Sequence, residues 1–182
     1  MSQLQWASVT VGMLVGLGVT RILTCFAAVV RSRGVSRPDW IPLVWAAVIF
    51  LMELHMWWGL QDALQAVQTW SFRVFLMFLL SPLLLYFSAV MILPFGELRH
   101  GDDYRALFDH HGHWALMSIS AYYLDTVCEN TLYWGADPLS WWTAIHFTLA
   151  ALPLVAFFSP RWAHGAIALL FLAVNIVFIF LH

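Results

Sequence analysis

The stretch QWASVTVGMLVGLGVTRILTCFAAVV, residues 5–30, holds a single charged side chain, Arg21, and is longer than the roughly 20 residues a helix needs to cross bilayer hydrocarbon. Comparable runs follow at about 40–62, 71–94, 114–134, 140–158 and 162–181. Between them lie breakers and turn formers: Gly34 and Pro38, the turn around Gln65 and Gln68, Pro94 and Gly96, Gly135 to Pro138, and Ser159 with Pro160. The pattern predicts an all-α fold, a polytopic membrane bundle of about six transmembrane helices in one domain, 1–182, with the lipid bilayer as its main partner.

Composition agrees. The chain is 62% hydrophobic and 10% charged, whereas soluble domains carry about a quarter charged residues. Many of its 11 Trp fall near the ends of apolar runs, where amphipathic rings sit at headgroup level. There is no Lys, so no retinal or pyridoxal Schiff base can form. A net charge of -2 offers no footprint for nucleic acid. Cys25 and Cys128 stand in separate apolar runs without a CxxC motif, which argues against thiol–disulfide exchange. No basic residue precedes the first run and arginines follow it, so it reads as a retained anchor.

Arg31, Arg33 and Arg37, then Arg99 and Arg105, then Arg161 fall in alternate loops, while the opposite side carries only Arg73. The positive-inside rule therefore predicts these loops in the cytoplasm and both the N-terminus and the C-terminus outside. The segments HMWWGL, residues 55–60, and LSWWTAIHF, residues 139–147, hint at a 3+3 repeat, with an interfacial aromatic belt as the simpler reading. Ser8, Gly12, Gly16, Thr20 and Thr24 form a ladder of small residues suited to close helix packing. Within-chain packing is the expectation there, and a homo-oligomer through the Gly12/Gly16 face is the alternative.

Polar residues inside the runs concentrate the functional question, because a central charge costs roughly 2.5–3.5 kcal/mol even on the gentlest insertion scale. Ser118, Tyr122, Asp125, Glu129 and Tyr133 are spaced by four, three, four and four, and so share one face of the fourth span. That face must look into the bundle, as a hydrated pathway or a hydrogen-bonded network. Counted by depth, Glu53, His55, Glu129, His146 and Asn175 reach the same outer layer from four spans, with Asp125 nearer the midplane. Glu53 and His55 point about 200° apart; Glu53 is assigned to the fourth-span stripe and His55 to a structural role. Arg21 needs a carboxylate, with Asp125 and Glu53 as candidates, or must reach the interface. Ser81-Pro82 predicts a kink in the third span.

The cytoplasmic segment 95–113 is rich in His and Asp, including His100, His110, His111 and His113. Its spacing fits no HExxH motif or His-box series, so a solvated, proton-responsive surface is the default and a metal site the alternative. GLGVTRIL at Gly16–Leu23, the Trp57-Trp58 pair and SPLLLYFSAVMILP at Ser81–Pro94 resemble a family of small bacterial multi-pass membrane proteins of uncharacterised activity. The resemblance covers the first half and implies a bacterial inner-membrane location, with Arg21 and the Trp pair as family features.

The leading functional expectation is a channel or transporter for a proton, cation or small solute, using Glu53, Tyr122, Asp125, Glu129, His146 and Asn175. A non-catalytic sensor or assembly partner comes second. A haem or metal redox protein using His55 and His146, or His110, His111 and His113, comes third.

Overall fold

The computed structural model describes residues 3–181 except 35, 68, 97, 99–101, 134 and 136. Arg99, His100 and Gln68, and the side chain of Gln65, thus lie outside the described residues. The helices are α1 (Gln3–Ser32), α2 (Trp40–Ala66), α3 (Phe72–Met91), the short α4 (Tyr104–Leu107), α5 (Trp114–Tyr133), α6 (Trp141–Phe158) and α7 (Arg161–Leu181). A π-helical turn, Phe108–Gly112, joins α4 toward α5.

Side chains at the boundaries explain where helices start. Asp39, Ser71 and Ser140 are N-caps whose oxygens accept from the backbone N–H of Ile41, Val74 and Thr143, satisfying donors that a helix start leaves open. Five helices, α1, α2, α3, α6 and α7, are long and apolar enough to cross a membrane. α5 is as long as α3 but more polar, and it packs chiefly against α6 and α3, leaving Met117, Leu124 and Leu132 exposed on its outer face.

Contacts along the helices give their directions. Ser118 donates to the Leu84 carbonyl at 2.7 Å, Ser81 to Asp125 Oδ2 at 2.8 Å and Tyr133 to Met77 Sδ at 2.8 Å, so α5 runs antiparallel to α3. Trp45 meets His164 and Phe171 while His55 meets Phe178, so α2 and α7 run parallel. Arg31, Arg33, Arg37, Arg105 and Arg161 consequently share one end of the bundle, where Arg161 bridges Asp39 and Asp109, and Arg73 stands at the other. Trp57, Trp58 and Trp141 are exposed at the opposite end, and Trp40, Trp114 and Trp162 at the arginine end. Trp40 and Trp58 are separated by about 27 Å of α2 at 1.5 Å per residue, close to a hydrocarbon thickness. The exposure of both Trp57-Trp58 and Trp141 fits the aromatic belt.

The core has two parts. The larger surrounds Trp45 and includes Ile49, Leu116, Ile119, Tyr123 and Phe171. The smaller joins Ala7, Val11 and Val15 of α1 to Leu60, Leu64 and Phe78. The small-residue ladder does not make the close approach within the chain: a Cβ added at Gly12 or Gly16 would meet nothing within 4 Å. The approach occurs at Gly18, where an added Cβ would overlap the Glu53 carboxyl. The rotation of α1 is set by its apolar seam, Ala7, Val11, Val15 and Ile22, which is buried, and that seam turns Gly18 inward.

Candidate functional site

The second half of α5 supplies the densest polar surface, and around it the bundle leaves a cavity of about 320 Å³. Tyr122, Thr126, Glu129 and Asn130 line it from α5, His146 from α6, and Asn175 and Phe178 from α7. Opposite them stand Met52, His55 and Met56 of α2 and Phe78 and Ser81 of α3. Most of these positions belong to the halves of their helices remote from the arginine end, and Met52 and Tyr122 stand close to mid-helix. The lining is mostly apolar and aromatic with a few convergent polar groups, the usual make-up of a small-molecule site.

Of the residues the sequence singled out, Tyr122, Glu129, His146 and Asn175 come together here. Glu129 contributes a carboxylate whose Oε1 is buried without a hydrogen-bond partner. Asp125 stands behind the wall: its Oδ2 accepts from Ser81, the residue before Pro82, and Ser81 is what reaches the cavity. A proline removes a backbone N–H from α3 at this level. The Ser81–Asp125 bond joins α3 to α5 beside that gap.

Glu53 and His55 exchange the places expected of them. His55 lines the cavity and sets its ring edge-on to Phe178 at 5.9 Å. Glu53 is only 1% exposed and lies against Gly18 of α1 instead of facing the α5 stripe, with neither carboxylate oxygen hydrogen-bonded. The two diverge by about 200°, so only one can face the cavity. Trp45, Ile49 and Met52 are buried on α2 and fix which one it is.

Arg21 does not pair with Asp125 or Glu53. Its Nη2 donates to the carbonyls of Val90 at 3.1 Å and Leu93 at 3.0 Å, and Phe95 covers its guanidinium at 4.8 Å. Carbonyls at a helix C-terminus lack intrahelical donors and carry partial negative charge, so they attract a cation.

Sequence reasoning missed Tyr123 and the pair Trp45–His164. Tyr123 donates to Asn175 Oδ1 at 2.7 Å, and Asn175 Nδ2 donates to the Phe171 carbonyl at 2.9 Å, so this amide clasps α5 to α7. The only signal was the adjacent Tyr122-Tyr123 pair, which a face count assigns one ring at a time. Tyr123→Phe is expected to lower stability by about 1 kcal/mol, the net worth of a buried hydrogen bond. Thermal unfolding in detergent would read this, and an unchanged melting temperature would remove the clasp. The Trp45 indole N–H donates to His164 Nε2 at 2.9 Å, placing the proton of the neutral ring on Nδ1.

Among the described residues, no three His, Cys, Asp or Glu side chains converge as a metal site. His55, His146 and Glu129 line the cavity without forming such a group. Nδ1 of His146 donates to the Trp142 carbonyl at 2.8 Å. At the arginine end, His110 and His111 bond each other at 3.0 Å, while His113 donates to the Phe108 carbonyl at 3.3 Å. The segment bearing them is tied down: Tyr104 shares a hydrogen bond with Ser32 at 2.7 Å, Ser36 donates to the Asp102 carbonyl at 3.0 Å, and Asp109 pairs with Arg161 at 3.2 Å.

No protein-family model, curated protein or solved structure matches this chain, so its function has to be read from the cavity itself.

Proposed function

We propose that the protein binds a small organic cation in the Glu129 cavity and transports it across a bacterial inner membrane, with the arginine end in the cytoplasm. The carrying observation is one acid, Glu129, with an unpartnered buried oxygen, in a cavity whose other lining residues are uncharged or imidazole side chains, among them several rings and two thioethers. An ammonium group gains a charge-assisted bond from the carboxylate and attraction from aromatic faces, which Tyr122, Tyr123, Phe78 and Phe178 supply. The volume, about 320 Å³, suits a molecule of that size. His55 and His146 add donors or acceptors for a second polar group on the solute. The location at one end of the bundle favours entry from the non-cytoplasmic side, and Pro82 beside Ser81 gives α3 a place to bend.

Tetramethylammonium and methylammonium are suitable probes, with binding followed calorimetrically in detergent and uptake in proteoliposomes. Glu129→Gln is expected to weaken binding by about tenfold or more while leaving the fold intact, as loss of a desolvated charge partner should. Absence of saturable binding by the wild type, or equal affinity in the variant, would sink the proposal.

A further inference from the structure

A second cavity, of about 360 Å³, opens at the opposite end of the bundle and shares no lining residue with the first. It is bounded by Arg21, the end of α3 and the turn that follows it from Val90 to Phe95, and Tyr104, Leu107, Phe108 and His111 of the α4 and π-helical segment. We infer that it is a binding site for a phosphate-bearing anion, held by the guanidinium of Arg21.

Charge is the first ground. Arg21 is a permanent cation, and among the described residues no carboxylate pairs with it. Its two hydrogen bonds go to neutral carbonyls, and its Nη1 is buried with no hydrogen-bond partner. A guanidinium presents its donors as a planar fork matched to phosphate oxygens, so an anion in this cavity supplies both the missing acceptor and the missing charge.

Depth is the second. Arg21 lies about 22 Å along α1 from Trp6 at 1.5 Å per residue, so it approaches the far edge of the hydrocarbon. It also stands where α3 ends, beside exposed Phe95 and on the side that carries Arg31, Arg33 and Arg37. Basic pockets between helices at that level accept anionic headgroups. The walls formed by Met91, Leu107 and Phe108 are apolar, as the first acyl methylenes of a lipid require. A lipid headgroup and a free phosphate share this chemistry, and the experiment separates them.

The purified full chain in detergent would be offered phosphatidylglycerol or phosphatidylcholine with identical acyl chains, and retained lipid counted by native mass spectrometry. Wild type is expected to retain the anionic lipid about fivefold better, the effect of one interfacial Arg. The preference should vanish in Arg21→Gln and in Leu107→Trp, which fills the cavity while leaving the Arg21–carbonyl bonds in place. Should Arg21→Gln fail to fold, Leu107→Trp decides alone. Inorganic phosphate alone forms the second arm: saturable binding lost in Leu107→Trp assigns the site to a free phosphate, and lipid retention that phosphate does not displace assigns it to a headgroup. A lipid preference unchanged in Leu107→Trp, or neither ligand binding wild type, overturns the inference.

Discussion

Trp45→Ala is expected to be the most damaging single truncation in the bundle, lowering stability by about 3–5 kcal/mol, the usual cost of emptying a fully buried aromatic site. Trp45 is 0% exposed at the centre of the larger core, with its ring 5.2 Å from Phe171. Two losses combine. The ring leaves a void among α2 and α7 residues, and His164 Nε2 loses its donor inside the protein, a penalty of about 1–3 kcal/mol when a buried acceptor goes unpaired. Trp45→Phe separates them, since it keeps most of the volume and should cost only about 1–2 kcal/mol. A double-mutant cycle of Trp45→Phe with His164→Leu should return a coupling near 1 kcal/mol. Unfolding in mixed micelles measures all of these, and a loss below about 1 kcal/mol for Trp45→Ala would contradict the central packing.

The second large effect concerns glycines on one helix that composition alone treats as alike. Helix propensity predicts that Gly→Ala stabilises any interior position by up to about 1 kcal/mol. Gly12→Ala and Gly16→Ala meet open space within the chain and should follow that rule. Gly18→Ala should do the opposite and destabilise by about 1–3 kcal/mol, because its methyl group would occupy the position of the Glu53 carboxyl. The carboxyl is the far end of a flexible side chain, but Glu53 is buried on every side and has little room to withdraw. The suppressor is specific: Glu53→Ser in the Gly18→Ala background removes the obstructing atoms and should restore most of the loss. Melting temperatures of the three alanine variants and the double variant check this together; a neutral Gly18→Ala would show that the carboxyl moves aside freely.

Much of the architecture is legible from residue types alone. Apolar runs of span length, arginines in alternate connections and tryptophans at run ends all reflect a solvent with fixed thickness and fixed preferences. The polar face of α5 is legible for the same reason, since its spacing matches the helical period. The layer containing Glu53, His55, Glu129, His146 and Asn175 follows by depth, and all of these but Glu53 line one cavity, together with Tyr122 of the α5 face. The misassigned residues share a different property. Glu53 against His55, Gly18 against Gly12 and Gly16, and the carbonyl clamp on Arg21 each depend on how a helix is rotated about its own axis or on where a neighbouring backbone ends. Side-chain chemistry at a single position contains neither quantity.

By itself, then, the sequence determined an all-helical membrane bundle and the heights at which polar side chains stand along its helices, because length and period are local to each run. Only the tertiary structure decided which of those side chains meet. Helix rotation is set by packing against neighbours. Here the buried faces of α1 and α2 press Glu53 onto Gly18, turn His55 into the cavity with Glu129, and leave Arg21 at the end of α3 with one nitrogen unpartnered.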